Sequence, residues 1–368
     1  MNSKIENKPK ELSIVMAAVC TGQKWGFIDR SGNEIISSRF ECADSFSEGY
    51  AAVCINDKWG FINEKGVLAI PAKYDKVKQA FTEGFALVIL KEDFIFIDGD
   101  GKEILLSKYD DVLGFSHGLA PVCFKKKWGF VDVKGREVIS LIYDKTYGFS
   151  EGLCRVEKNK RYGYIDVQGN EVIAIKYFYA FHFSEGLAGV TSKNGFGYIN
   201  KKGDEVIVSQ YQWGTDFSEG FAAVEKNDLW GVIDYKGNEI TSFKYNEQKS
   251  IFYYRFDPPY NFSAGFMAVS FEGWYGFINT KGEEVIPFDY VNTLGFFENM
   301  AMVSDKRGSG FVNTKGEEII PLQYEDAQNF SNKLAAVKLN GKWGFIDKEN
   351  NIAIPFCYQM TKPFRKTY

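Results

Sequence analysis

Residues 24–35 read KWGFIDRSGNEI, and near copies, KWGFINEKGVLAI and KWGFIDKENNIAI, begin at Lys58 and Lys342. Followed along the chain, the place of Trp25 is filled by Trp25, Trp59, Phe94, Trp128, Tyr162, Phe196, Trp230, Tyr275, Ser309 and Trp343. The steps between them are 34, 35, 34, 34, 34, 34, 45, 34 and 34 residues, and a fixed period of this length marks a repeat architecture. Nine of the ten residues are aromatic, and nine are followed by Gly, with Ile95 the exception. A single unit is therefore written ten times.

Each unit opens with a short apolar segment such as residues 334–337. The aromatic-Gly segment follows, then a turn, then an apolar pair such as Val138 and Ile139. Runs of four or five β-branched and aromatic residues bounded by turn residues predict a three-stranded meander. No stretch keeps a 3.6-residue period over helix length, so the fold class is all-β. The second turn opens with Asp or Asn in all ten copies, from Asp29 to Asp347, and three residues later carries Gly in nine. The tenth copy has Asn350, and Asn is the residue other than Gly that best tolerates positive φ. An Asx-turn closing a hairpin accounts for both positions. The remainder of each unit runs from a Tyr to a Phe, as in Tyr143 to Phe149, and then into Ser-Glu-Gly at residues 150–152. This connector is expected to be a loop or one helical turn whose aromatics fill the space between units.

Equivalent acids follow the turn Gly in many copies, among them Glu137, Glu171, Glu205, Glu239 and Glu284. In a tight β-helix these would stack about 4.8 Å apart, and like charges at that spacing repel. Each unit is therefore expected to be its own small sheet. Two arrangements meet that condition, an open superhelical solenoid of ten units and a closed ten-bladed propeller-like ring. No unit is visibly split between the chain ends, which favours the open form, with end-to-end association through an uncapped last unit.

The chain has 368 residues, 45% hydrophobic and 25% charged, with net charge -4. That composition is globular, and so small a net charge speaks against nucleic acid as partner. Residues 1–12 are polar and expected to be flexible; residues 13–368 form the array, with an insertion at about 246–256. The apolar run at 14–19 is too short for a signal h-region or a membrane span, so a cytoplasmic protein without a span is expected. Six cysteines show no metal-ligand spacing, and they read as apolar strand residues in a reducing compartment. No metal or cofactor is expected.

The run Lys-Trp-Gly-Phe-Ile-Asp, then Gly, then Glu-Val-Ile-Pro, then Phe-Ser-Glu-Gly-Leu-Ala resembles the bacterial WG-repeat family. The resemblance covers nearly the whole chain. Its members look like repeat scaffolds, and it implies no catalytic residues.

Chemistry finds little footing in the pattern. His117 and His182 do not recur, neither has a motif-defined nucleophile beside it, and the glycines follow the repeat rather than a nucleotide fingerprint. A non-enzymatic scaffold binding protein or peptide is expected; the alternative is a glycan or cell-wall module in which the repeated aromatics stack on sugar rings. Phe and Tyr replace Trp freely, which points instead to a packing role. The break in the period is more specific. The insertion carries Phe252, Tyr253, Tyr254, Arg255, Phe256 and Tyr260, a composition that suits an interface. Trp213 and Trp274, the tryptophans outside the repeated pair, complete the candidate binding residues. Gly135→Val is expected to lower the melting temperature far more than Gly135→Asn; equal shifts in thermal unfolding would overturn the left-handed turn position.

Overall fold

A computed structural model describes residues 15–246 and 261–366, and every regular element there is a strand. The fourth unit shows the plan. A two-residue connector strand, Asp111–Val112, pairs with Leu119–Phe124, which pairs with Lys127–Asp132, which pairs with the long strand Glu137–Tyr143, all antiparallel. Among the described residues every blade but the eighth thus has a connector strand besides those of the expected meander. In the seventh blade the long strand is reduced to isolated bridges, Ile233 with Glu239 and Trp230 with Tyr245. Residues 1–12 and nearly all of the insertion lie outside the described residues.

The connector is not a helical turn: in most blades it is a two-residue strand followed by an irregular stretch. Its Ser-Glu-Gly closes a two-residue hairpin: Ser47 and Tyr50 exchange backbone hydrogen bonds, and Glu48 and Gly49 have φ of 48° and 84°. Glu is a poor choice for a left-handed position, but it has a further task. The Glu48 carboxylate accepts hydrogen bonds from the N–H groups of Glu83 and Gly84 in the next blade's turn, both at 2.9 Å. Charge-assisted bonds of this kind offset the cost of the strained backbone. Glu83, Glu185 and Glu219 grip the following turn in the same way. Beside them Ser47 Oγ donates to Phe81 O at 2.8 Å, and Ser116, Ser150, Ser184, Ser218, Ser263 and Ser331 repeat that bond.

The Gly of the Trp-Gly pair marks a crossing. Trp128 pairs with Tyr143 and Phe130 with Ile139, so three residues of the long strand stand opposite Gly129 alone. A Cβ on Gly129 would lie 2.4 Å from Ile139 O. The bulge turns the strand out of its own sheet, and Asp144 N already donates to Glu157 O of the next blade. Ile95 obeys the same rule. In the third blade the pairing of Ile95 with Leu105 and Phe96 with Ile104 is regular, nothing crosses over, and a side chain fits.

Hydrophobic packing lies between blades. Among the described residues there are ten buried clusters, each shared by two neighbours: Phe130, Ile139 and Tyr143, for example, pack with Phe149, Cys154 and Val156. At nine interfaces the ring two residues after the Trp position meets the next connector Phe, from Phe27 on Phe46 to Phe345 on Phe364, with centroids 4.3–5.2 Å apart. At the remaining one Val232 shares a cluster with Phe262.

The tenth cluster overturns the expected solenoid. It joins Ala17, Val19 and Ile28 to Ala336, Phe345 and Phe364. Met360–Thr361 pairs with Val15–Thr21 as the connector strand of the first blade, and Arg365–Lys366 pairs with the start of the same strand. One blade is therefore split after all, between the two ends of the sequence, and the ten blades close into a propeller. The split escaped the sequence reading because a two-residue strand carries no pattern of its own. Closure also leaves no terminal unit to cap, which removes the expected route to end-to-end association.

Gly129→Ala is expected to cost several kcal/mol, because backbone rather than a flexible side chain blocks the new methyl group. Ile95→Gly in the unbulged third blade loses the burial of its side chain without any such clash, on the order of 3 kcal/mol. Urea unfolding of both variants checks the crossing; a Gly129→Ala variant as stable as the parent would overturn it.

Candidate functional site

The aromatics of the Trp-Gly pairs form no exposed ladder. Trp25, Tyr162, Phe196 and Trp230 are buried, the other aromatics at this place are half-buried, and Ser309 is buried too. The basic residues before several of them are engaged: Lys24, Lys58 and Lys127 pair with Glu41, Asp75 and Asp144.

Of the candidate binding residues, Phe252, Tyr253, Tyr254, Arg255, Phe256 and Tyr260 lie outside the described residues. Trp274 begins the second strand of the eighth blade, Trp274–Asn279, and stands opposite Phe271 across a hairpin. Trp274 is 45% exposed and Phe271 37%. Directly opposite residues of an antiparallel pair share one face, so the two rings form one apolar patch. Asn246, from which the insertion departs, holds this hairpin: its N–H donates to Ser270 O, and its Oδ1 accepts from Glu272 N at 2.8 Å. In the other blades the same pair of places holds combinations such as Ile55 with Lys58 or Lys158 with Arg161. An aromatic pair occurs only in the eighth.

Trp213 does not join this patch. It lies in the connector strand Trp213–Gly214 of the seventh blade, 38% exposed, with Tyr179, Phe181 and Phe196 at 5.4, 5.4 and 5.7 Å. Behind that cluster is Arg155, only 5% exposed. Its guanidinium stacks on Tyr147 at 3.8 Å, reaches Tyr179 at 5.5 Å, and donates to Ala180 O. The residues at the same register position elsewhere are Ala18, Ala52, Leu87, Pro121, Gly189, Ala223, Ala268, Met302 and Ala336. A lone Arg in such a column was a legible signal that the sequence reading passed over.

Arg155 sets the charge of this region. Burial pushes the Asp216 carboxyl up to about 6, with Arg155 pulling the other way. Burial and then Arg155 hold the His182 imidazole down at about 4. Burial also raises the Cys154 thiol to about 11, so it is no thiolate nucleophile at neutral pH. The arrangement is a buried cation in an aromatic box beside a carboxyl that burial pushes up and an imidazole held neutral.

Ten separate blades, each closed against the next and the last against the first, define the chain as a ten-bladed β-propeller. It belongs to the WG-repeat family: the WG containing repeat matches residues 25–59, 59–92, 96–128, 128–162, 162–195, 196–230, 230–254, 275–307, 310–343 and 343–366. No curated protein matches the sequence. Among solved structures, a eukaryotic initiation factor is similar at 9% identity, over 83% of this chain and 95% of its own, with TM-score 0.53. Dihydro-heme d1 dehydrogenase NirN is similar at 10% identity, over 99% of this chain and 78% of its own, with TM-score 0.42. Hsv2p of Kluyveromyces lactis is similar at 10% identity, over 79% and 98%, with TM-score 0.37. The first of these bears on the fold alone.

Asp216 and His182 oppose each other in pH. Asp216, with its pKa raised, stabilises the fold while protonated, and that contribution is lost as pH rises from about 4 through about 6. His182, with its pKa lowered, stabilises the fold while neutral, and its contribution is lost as pH falls from 6.5 through about 4. Each is worth on the order of 3 kcal/mol and the two nearly cancel. Stability of Asp216→Asn is therefore expected to rise with pH across this window, and that of His182→Asn to fall. Urea unfolding at several pH values checks both slopes; the same slope in both variants would refute the coupling.

Proposed function

We propose that this propeller is a non-catalytic scaffold that binds a protein or peptide partner, with the eighth blade as its specific contact. The observation that carries the proposal is the Phe271 and Trp274 pair, exposed where the repeat is interrupted and the aromatic-rich insertion departs. Exposed aromatics beside a segment rich in Tyr and Phe, with one Arg, match the makeup of interface hot spots. A cytoplasmic setting suits the four buried thiols, Cys20, Cys54, Cys123 and Cys154, which behave as small apolar strand residues. The glycan alternative rests on a stacking ladder, and the aromatics that would form it are engaged in packing.

The test places a photo-crosslinking amino acid at position 274 and, as control, at position 343, within the half-buried Trp-Gly pair of the tenth blade. Discrete crosslinked protein species at 274, absent at 343 and lost on Phe271→Ser, are expected. Crosslinking equal at the two positions, or glycan-array binding that is lost in Trp274→Ser, would overturn the reading.

A further inference from the structure

A second feature of the repeat is a charge relay between blades. The residue after each connector Tyr carries an acceptor that caps the next blade's first hairpin. Glu41 Oε2 accepts from Asp57 N at 2.9 Å, Asp75 from Lys91 N at 2.7 Å, Asp110 from Lys125 N at 2.6 Å and Asp144 from Asn159 N at 2.7 Å. Gln212, Asn246, Glu325 and Gln359 do the same. Two blades depart, with Phe178 and Val291 at this place. There the hairpins cap themselves, Asn194 N on Ser192 Oγ at 3.1 Å and Arg307 N on Asp305 Oδ1 at 2.7 Å. They also change backbone type. Positive φ falls on Gly195 (119°) and Gly308 (139°), where the other hairpins use two successive left-handed residues such as Asn56 and Asp57.

At Val291 the acids nearby keep their partners: Arg307 pairs with Asp305 and Glu318. At Phe178 the cations lose theirs. Arg161 corresponds to Lys24, Lys58 and Lys127, whose acid is the residue that Phe178 replaces; its guanidinium instead lies over the Phe178 ring at 4.1 Å. Lys176 corresponds to Lys73, Lys108 and Lys244, which pair with Glu103, Glu137 and Glu284 of the following blade. The equivalent acid is Glu205, and its Oε1 is turned onto Ser209, accepting from N at 2.8 Å and Oγ at 2.7 Å. Among the described residues neither Arg161 nor Lys176 has a carboxylate within ion-pair range. Both border a cavity of about 440 Å³ between the fifth and sixth blades, together with Phe178, Lys193, Ser192 and Asn194.

We propose that this cavity binds a small organic anion through its carboxylate or phosphate group. Arg161, held over the Phe178 ring with one nitrogen on Lys160 O at 3.3 Å, borders the cavity with a guanidinium fork suited to oxyanion oxygens, and Lys176 and Lys193 add charge without fixed geometry. Phe178 is 46% exposed, so its ring also offers an apolar wall to the body of the ligand. The volume lies within the range of small-ligand pockets. Three cations against the one carboxylate of Glu205 leave the site positive in a chain whose net charge is -4. The site is separate from the eighth-blade patch and does not depend on a protein partner there.

The decisive variant restores the repeat. Phe178→Asp supplies the acid that Lys24, Lys58 and Lys127 have, so Arg161 regains an ion pair and the fold is expected to hold. Calorimetric titration of the intact chain at low salt with inorganic phosphate, phenyl phosphate and benzoate reads the site, and the three probes separate the oxyanion from the apolar wall. Phenyl phosphate or benzoate is expected to bind, each weakening by about tenfold or more in Phe178→Asp and in Arg161→Gln. Salt should weaken binding as well. Inorganic phosphate binding alone would remove the apolar wall, and with it the organic ligand. Binding of no probe to the parent chain, or unchanged binding in a folded Phe178→Asp variant, would overturn the proposal.

Discussion

The contact of the residue two places after the Trp position, a ring in nine of the ten blades, with the connector Phe of the following blade is the interaction on which the propeller depends. Each such pair is worth about 0.5–1.5 kcal/mol beyond the area it buries. Its larger effect is on connectivity. Because ten buried clusters each span two blades, no blade owns a complete core, and every sheet has both faces covered only when both neighbours are present. The crossing over Gly129 and its counterparts serves the same end, since it delivers the chain into the next blade where that blade's connector Phe must lie.

A repeat under this constraint can change a residue only with its surroundings, and the departures come in matched sets. Where the capping acid becomes Phe178 or Val291, the next hairpin acquires its own cap, Ser192 or Asp305, together with a Gly at the left-handed place. Where Arg155 enters a column of apolar residues, Gly189 stands at the same place in the next blade and Tyr147 and Tyr179 flank the charge. These compensated positions differ from the tolerated ones, such as Ser309 at the Trp place, whose loss of a ring is met by burial alone. Individuality in this molecule is local, and these departures fall from the fifth blade to the ninth.

Much of this was legible in the residues and some was not. The turn could be read almost atom by atom, because an Asp or Asn side chain makes local bonds: Asp29 Oδ1 accepts from Ser31 N at 2.8 Å and Asn33 N at 2.9 Å, and Asn350 takes φ of 65° where the other copies have Gly. The Ser-Glu-Gly turn was misread because its Glu acts on another blade, a contact some 35 residues away that no local preference reports. Ring closure was misread for the same reason, since nothing in Met360–Thr361 says which edge it will meet. Of the candidate site, Trp274 could be singled out by its place beside the insertion. The unpaired Arg161 could not, because its meaning lies in a partner that the other blades possess and this one lacks.

Splitting the first blade between the chain ends has a consequence for how the molecule is made. Eight of the blades take their connector strand from the stretch just before their own remaining strands. The first blade waits. Its strand Val15–Thr21 leaves the ribosome before the other nine blades, yet Thr361, which donates to Ala18 O, follows 343 positions later. At about 5–20 residues per second, that strand spends tens of seconds with an unpaired edge and a bare apolar face. Until Met360–Thr361 emerges the growing propeller is thus an open arc whose first strand is an exposed template, and that two-residue strand turns it into a ring.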